Sequence, residues 1–338
     1  MKEFFKQFGY VMLLSLLLEI TVGCQGGMSP PAQIDKAGGN TAQLRKRAVR
    51  ITEESLAAED PRLRANAVEV VASTGTKTLM PYVKNLLKDD FVPVRYAAAL
   101  AVGDTKYRAA EGYIRRLMKD PDKNVHIAAA YALYKLGDQK SINVIQEAIA
   151  DSDQQVRANA AVLLGKAGNK SSLKLLHQAR KSRDSRVRLQ AAEAIARLGD
   201  EKIYKKLWAM QLSVYTFNRL MGVKAMGALG TPQAHTALLT MLDDDILEIR
   251  LAAAEQLGKL SDTTGQKQVT EVFEKNLMAD MEPKDKQRLK VLAALAIGEI
   301  CTKRLAKYLP ILLDDESKIV RVAAAKAILR CTNLQKFR

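Results

Sequence analysis

Histidine and cysteine, the residues that most often do chemistry in enzymes, are few in this sequence and far apart. The three histidines are His126, His177 and His235, and none of them adjoins a glutamate. The motifs Cys-x-x-Cys, His-Glu-x-x-His and Gly-x-Ser-x-Gly do not occur, and neither does a phosphate-binding glycine-rich loop. The sequence therefore predicts no metal and no cofactor, and we expect that the chain is not an enzyme.

One cysteine stands where lipid attachment is expected. Lys2 and Lys6 precede the apolar residues 10–18, a pattern typical of a secretory signal, and the apolar run is too short to span a bilayer. The residues Thr-Val-Gly-Cys that end at Cys24 resemble a bacterial lipobox. This resemblance implies that residues 1–23 are a signal peptide, that Cys24 is diacylated, and that acyl chains anchor the protein to a membrane. An ordinary signal with an incidental cysteine is the alternative.

The rest of the chain is organised by a repeat of 31 residues. One column of the repeat is nearly all arginine, with His126 in one unit and, after a slip of nine residues, Lys290 in another. Self-similarity at such a period indicates stacked supersecondary units. The arginines of the column are Arg64, Arg95, Arg157, Arg188, Arg219, Arg250 and Arg321.

Apolar residues accompany the arginine column at helical spacing. They lie one residue before it and three and seven residues after it, so each unit contains an amphipathic helix with a buried stripe. Glycines and helix-capping residues about twelve positions on mark the turn into the next helix. We therefore predict an all-α fold, a right-handed α-α superhelix of about nine two-helix units, over residues 41–338. The aperiodic, Gly- and Pro-containing residues 24–40 are expected to be a flexible tether.

The repeat resembles the short HEAT-like repeat named after the phycocyanobilin lyases. Asp153-Gln-Gln-Val-Arg-Ala-Asn-Ala-Ala-Val-Leu-Leu-Gly165 carries the resemblance most clearly. Together with the lipobox, it makes the chain similar to bacterial HEAT-repeat lipoproteins. The resemblance implies the solenoid fold and no particular activity, because this repeat serves lyases, hydroxylases, scaffolds and adaptors. The deoxyhypusine hydroxylases with such repeats use His-Glu pairs for iron, and this sequence lacks them.

The arginine column has a structural and a functional interpretation. Asp60, Asp122, Asp153 and Asp184 stand four residues before it, which predicts a ladder of Asp–Arg contacts from unit to unit. In the structural interpretation the arginines bind carbonyls and carboxylates of the turns. A row of cations that binds an anionic ligand is the alternative.

Two of the cysteines occupy equivalent positions in the last two units. Cys301 and Cys331 both end the arginine-bearing helix. Exported proteins can form disulfides, but equivalent Cα atoms of neighbouring units usually lie beyond the limit of about 7 Å. The spacing favours free thiols and leaves a bridge open.

Three features are candidates for partner contacts. Unit six departs from the repeat and carries aromatic residues of the kind enriched at interfaces, although they could instead fill space beside Gly222; they are Trp208, Tyr215 and Phe217. Small and amide side chains two residues after the arginine column are expected on the concave face, among them Asn66, Asn159 and Gln190. Finally, no polar helix follows unit nine, which predicts an exposed apolar end.

The net charge of +16 favours acidic partners through long-range attraction. We expect a non-catalytic, lipid-anchored scaffold or adaptor that binds a protein or peptide at the bacterial cell envelope. Gln25 after the lipobox implies, by the sorting rule of that family, an outer-membrane address facing the periplasm in a Gram-negative cell. Binding of anionic envelope polymers or lipids is the alternative, as is a merely solvated basic surface. A lyase- or hydroxylase-like enzyme is disfavoured, and nucleic acid becomes a candidate partner only if the chain is not exported.

Overall fold

The computed structural model describes residues 40–333, and the regular secondary structure in that range is entirely helical. Nine consecutive units each consist of a first, outer helix and a second helix that carries one residue of the arginine column, which we call the lattice position of the unit. In the ninth unit, α17 and α18 together form the first helix. The prediction of nine two-helix units in an all-α HEAT-like solenoid is confirmed. The helices are α1 (Asn40–Leu56), α2 (Pro61–Thr74), α3 (Met80–Asn85), α4 (Val92–Thr105), α5 (Glu111–Leu117), α6 (Lys123–Leu136), α7 (Ile142–Ala148), α8 (Gln154–Ala167), α9 (Leu173–Ala179), α10 (Ser185–Arg197), α11 (Tyr204–Gln211), α12 (Thr216–Leu229), α13 (Pro232–Thr240), α14 (Leu247–Lys259), α15 (Gln266–Glu274), α16 (Pro283–Ile300), α17 (Lys303–Ala306), α18 (Leu309–Leu313) and α19 (Lys318–Asn333).

Four of the second helices begin at an aspartate that caps them. The Asp122 carboxylate accepts hydrogen bonds from the backbone amides of Asn124 and Val125, at 2.8 and 3.2 Å. Such a cap satisfies amides that have no partner inside the helix. The prediction that these aspartates pair with the arginine column is wrong, because their oxygens are used at the helix start. The other three caps are Asp60, Asp153 and Asp184.

Three arginines of the column, Arg64, Arg95 and Arg219, bind a different aspartate, which lies six residues before the lattice position of the next unit. Nε and Nη2 of Arg95 lie 2.9 and 3.1 Å from the carboxylate of Asp120. Its Nη1 donates to the backbone carbonyls of Asp89 and Asp90 in its own unit. Arg95 therefore joins the turn of its own unit to the turn of the next, and so does Arg64, whose Nη1 donates to the carbonyls of Ala58 and Glu59. Equivalent contacts between units pair Arg64 with Asp89, Arg219 with Asp244, and Lys290 with Asp315.

Neighbouring second helices approach each other closely because their contact faces are small. Ala98, Ala129 and Ala160, three residues after the lattice position, are completely buried. At Gly165 in α8, an added Cβ atom would lie 2.8 Å from the Cα atom of Ala194 in α10. This close packing holds the second helices in one continuous layer.

That layer closes on itself. The last helix, α19, packs against both α1 and α2 of the first unit. The Asn333 side-chain amide donates to the carbonyl oxygen of Thr74 at 2.7 Å, and Arg45 Nη1 donates to the hydroxyl of Thr332 at 2.8 Å. The predicted exposed apolar end of unit nine is therefore wrong, because the first unit covers it.

Cys301 and Cys331 form a disulfide, with their Cα atoms 5.4 Å apart. The expectation that equivalent positions lie too far apart for a bridge is wrong here. A glycine allows the two helices to approach this closely, because a Cβ atom added at Gly298 in α16 would lie 2.8 Å from the Cα atom of Ala327 in α19. This approach brings the ends of the two helices within disulfide range.

The signal peptide, Cys24 and most of the tether fall outside the described residues, so their assignments stay predictions. The first helix starts at Asn40, the last residue assigned to the tether. Within residues 40–333, no helix has both the length and the apolar composition needed to cross a membrane.

Candidate functional site

The second helices form the inner wall of the ring and enclose a cavity of about 790 Å³, which we call the lumen cavity. Its lining comes from eight of the nine second helices, from Glu69 on α2 to Lys326 on α19. Most of its charged side chains stand five or nine residues after the lattice position, such as Glu193 and Arg197 on α10. These two columns share one helix face, which the closed ring turns inward.

Ion pairs neutralise most of the charge in the lumen cavity. Five of the six lysines and arginines that line it lie 2.6 to 2.8 Å from a carboxylate oxygen. Some pairs join distant units: Lys166 reaches Asp104 two units away, and Lys326 reaches Glu69 across the closure. The remaining three pairs are Arg197–Glu193, Lys259–Glu255 and Arg288–Glu248.

The sixth cation, Lys224 on α12, has no such partner. Within the described part of the chain, no carboxylate oxygen lies within 4.0 Å of its Nζ atom. Burial lowers the pKa of Lys224 below the ordinary lysine value, and the more distant carboxylates of Glu255 and Glu193 only partly offset this. The lumen cavity therefore contains an ammonium group that the protein leaves without direct compensation.

Apolar side chains form one wall of the lumen cavity beside Lys224. On α12, Phe217 and Leu220 precede the lysine by seven and four residues and line the same cavity, because these spacings place all three on one helix face. Val291, Leu292 and Leu295 of α16 also line it. The cavity thus combines a half-buried cation with an apolar surface, the composition of many small-molecule sites.

The predicted concave-face residues lie elsewhere. Asn159 is only 1% exposed, and its side-chain amide donates to Asn124 Oδ1 at 2.9 Å between α8 and α6. Gln190 is buried, and Asn66 is half-buried. The column two residues after the lattice position packs between second helices, so Asn159 and Gln190 are not available to a partner. The column five residues after the lattice position faces the cavity instead, and in units five to seven it carries Glu193, Lys224 and Glu255.

Unit six presents the most exposed apolar surface of the described chain. Leu212, Val214 and Tyr215 are 61, 87 and 70% exposed, and we call residues 212–215 the apolar turn. Trp208 and Phe217, in contrast, pack partly against the core. The structure therefore separates the three predicted aromatic contacts: Tyr215 faces solvent, Phe217 faces the lumen cavity, and Trp208 supports the fold.

The three histidines have structural surroundings. Nδ1 of His126 lies 2.7 Å from the carbonyl oxygen of Met118. His177 and His235 on two first helices each contact an aspartate of the following unit, at 2.8 Å from Asp200 and 2.7 Å from Asp262. Across residues 40–333, no three His, Cys, Asp or Glu side chains converge as a metal site would require.

Two overlapping segments of the chain, residues 83–156 and 143–213, match the family model of HEAT repeats. These segments are HEAT repeats. The predicted repeat type is thereby confirmed, whereas bacterial origin and lipoprotein status stay predictions. Among curated proteins, none has a sequence detectably similar to this chain.

Three solved structures with similar folds differ widely from this chain in sequence. The complex of CpcE and CpcF of phycocyanin lyase from Nostoc sp. is 17% identical, over 80% of this chain and 100% of that chain, with a TM-score of 0.46. Human deoxyhypusine hydroxylase is 18% identical, over 79% and 98%, with a TM-score of 0.38. Kap121p bound to Nup53p is 13% identical, over 82% and 37%, with a TM-score of 0.32. At these identities the likeness concerns the helical repeat fold alone.

These comparisons correct the expectation that the chain is not an enzyme. Two of the similar structures are a lyase and a hydroxylase. Their weak identity assigns no reaction to this chain, but a HEAT-repeat fold is no ground for excluding one.

Proposed function

We propose that the protein is an adaptor that binds a partner protein at the bacterial cell envelope, held there by acyl chains on Cys24. The apolar turn is the observation that carries the proposal, since three of the five large apolar side chains exposed in the described residues lie within it. Contiguous exposed apolar surface of this kind is typical of interaction sites.

Charged residues beside the apolar turn indicate what the partner would carry. The corresponding turn of unit five exposes Lys181 and Arg183, and α11 exposes Lys205 and Lys206. An apolar patch with a polar, charged rim is the usual anatomy of a protein interface. The matching partner surface has an apolar anchor for Val214 and Tyr215 and acidic side chains around it.

Site-specific photo-crosslinking in cells tests this proposal. A photoreactive phenylalanine analogue replaces Val214 in one strain and Ile311, which is 61% exposed on another part of the ring, in a control strain. We expect a discrete adduct in the membrane fraction from position 214 and none from position 311. Equal adducts from both positions, or none from position 214, would reject the apolar turn as the docking site.

Two further measurements address the anchor and the alternative of an anionic polymer. Mass spectrometry of the N-terminal peptide should find a diacylated Cys24, and Cys24→Ser should release the protein from the membrane. An adduct at position 214 that persists in high salt supports apolar docking. Binding to purified lipopolysaccharide that disappears in high salt and is insensitive to Val214→Asp would favour the electrostatic alternative instead.

A further inference from the structure

We propose that the lumen cavity binds a small amphipathic anion, whose single charged head group contacts Lys224 and whose apolar body lies against α12 and α16. This inference is independent of the apolar turn and of the anchor at Cys24. It follows from three properties of the cavity: its charge balance, the order of side chains along α12, and its size.

The charge balance leaves a position for one negative charge. The five other cations that line the cavity each contact a carboxylate oxygen at 2.8 Å or less, and those carboxylates are occupied by these contacts. Lys224 has no ion pair within 4.0 Å in the described residues. A partly buried charge without a partner is unfavourable, so an anion at this position would complete the set of pairs.

The order of side chains along α12 sets the shape of the ligand. Leu220 and then Phe217 lie between Lys224 and the N-terminal end of α12, and all three side chains line the cavity. Seven residues of α-helix span about 10 Å. A ligand with its charge at Lys224 and an apolar body of about that length would cover both side chains. Leu292 and Leu295 of α16 would contact the same body.

The size of the cavity agrees with such a ligand. Its volume of about 790 Å³ lies within the usual range for small-molecule sites. This volume is far too small for a folded partner protein. The predicted ligand class is therefore a single-headed carboxylate or sulfonate with a compact ring system or a short alkyl chain.

A pair of fluorescent probes separates the charge from the apolar body. 1-Anilinonaphthalene-8-sulfonate carries one anionic group, and N-phenyl-1-naphthylamine has the same rings without it. Both are titrated into the full chain carrying Cys24→Ser, so that no acyl chain competes, and into the same chain with Lys224→Met. The matched control is Lys205→Met, which removes an exposed lysine on α11.

We expect the sulfonate to bind at one site per chain and Lys224→Met to weaken it at least tenfold, with the neutral probe changed less than threefold. Lys224→Arg should retain most of the affinity, and Lys205→Met all of it. Equal sulfonate affinity with and without Lys224, or an equal loss for both probes, would overturn the proposal. Should Lys224→Met fail to fold by circular dichroism, competition in the parent chain decides: decanoate must displace the sulfonate at lower concentration than decanol, and the reverse order contradicts the inference.

Discussion

The Nζ atom of Lys326, in the last helix, lies 2.8 Å from a carboxylate oxygen of Glu69, in the second helix of the first unit. The two residues are 257 positions apart in the sequence. Burial lowers the pKa of Lys326, but the carboxylates of Glu69, Glu255 and Glu299 together raise it by more. The pKa of Lys326 therefore lies above the ordinary lysine value. The pair is therefore one of the ion pairs of the lumen cavity and at the same time joins the two ends of the solenoid. Without this closure the lumen cavity would be an open groove.

The first prediction concerns the arginine column. Arg95→Met should destabilise the protein by about 2–4 kcal/mol, because it leaves the nearly buried carboxylate of Asp120 without its cation. Arg157→Met is the matched control, since Ser182 stands where the next unit would supply the aspartate, and Arg157 contacts only carbonyls of its own turn. Urea unfolding should show a larger decrease in the free energy of unfolding for Arg95→Met than for Arg157→Met. Equal losses would mean that the contacts within each unit carry the stability.

The second prediction concerns close helix packing. Gly165→Ala should destabilise the protein by about 1–3 kcal/mol, because the added Cβ atom meets the backbone of α10 and forces the helices apart. Gly112→Ala in α5 places a Cβ atom where nothing lies within 4 Å. It should stabilise the protein by up to about 1 kcal/mol through helix propensity alone. Thermal melts of both variants test the pair, and a stabilising Gly165→Ala would contradict the observed helix separation.

The disulfide gives the third prediction. It closes a segment with a sequence separation of 30 residues, for which the loss of chain entropy in the unfolded state amounts to about 3–4 kcal/mol. Cys331→Ser should therefore lower the melting temperature, and a reductant should lower it for the parent chain but leave the variant unchanged. Thiol labelling of the unfolded protein without reductant should find Cys301 and Cys331 protected. Labelling of both would show that the bridge does not form in the cell.

The fourth prediction is a pH dependence that originates at Lys224. Because burial lowers its pKa in the folded state, the unfolded chain binds more protons between that lowered pKa and about 10.4, and stability must rise with pH across this window. Lys224→Met should thus be more stable than the parent chain at pH 7, because it removes the cost of keeping this ammonium group charged. The advantage should shrink as the pH approaches about 10.4. Lys205→Met serves as control, and its stability difference should not change with pH.

The local rules of the repeat were predictable from the sequence, whereas the relations between units were not. The lattice of Arg64 to Arg321 gave the number of units, and the spacing of apolar residues gave their second helices, since both depend on helix periodicity alone. Ring closure depends on the small rotation between neighbouring units summed over nine of them. No single unit encodes that sum, so the contact of Lys326 with Glu69 could not be derived.

The misplaced site residues have the same origin. Asn159 was assigned to the concave face because its column carries small and amide side chains, but a second helix within the stack contacts another second helix on each side. Only a narrow stripe then faces inward, and Lys224 lies on it. The buried asparagine instead satisfies its amide against Asn124. Asp120, which binds Arg95, was missed because Asp122 lies closer in sequence to the lattice position of its unit and suggested an Asp–Arg contact there. Asp122 serves instead as a helix cap.

Ring closure is the central claim, and a distance between the two ends tests it most directly. Spin labels at Arg50→Cys in α1 and Lys318→Cys in α19, both exposed, are measured by double electron–electron resonance in the chain with Cys24→Ser. An open array of nine units, with neighbouring helices 8–10 Å apart, would place its ends roughly 60–80 Å from each other. A closed ring predicts one narrow distribution at less than half that separation. A broad distribution centred near the longer value would show that the solenoid is open and that the lumen cavity does not exist in solution.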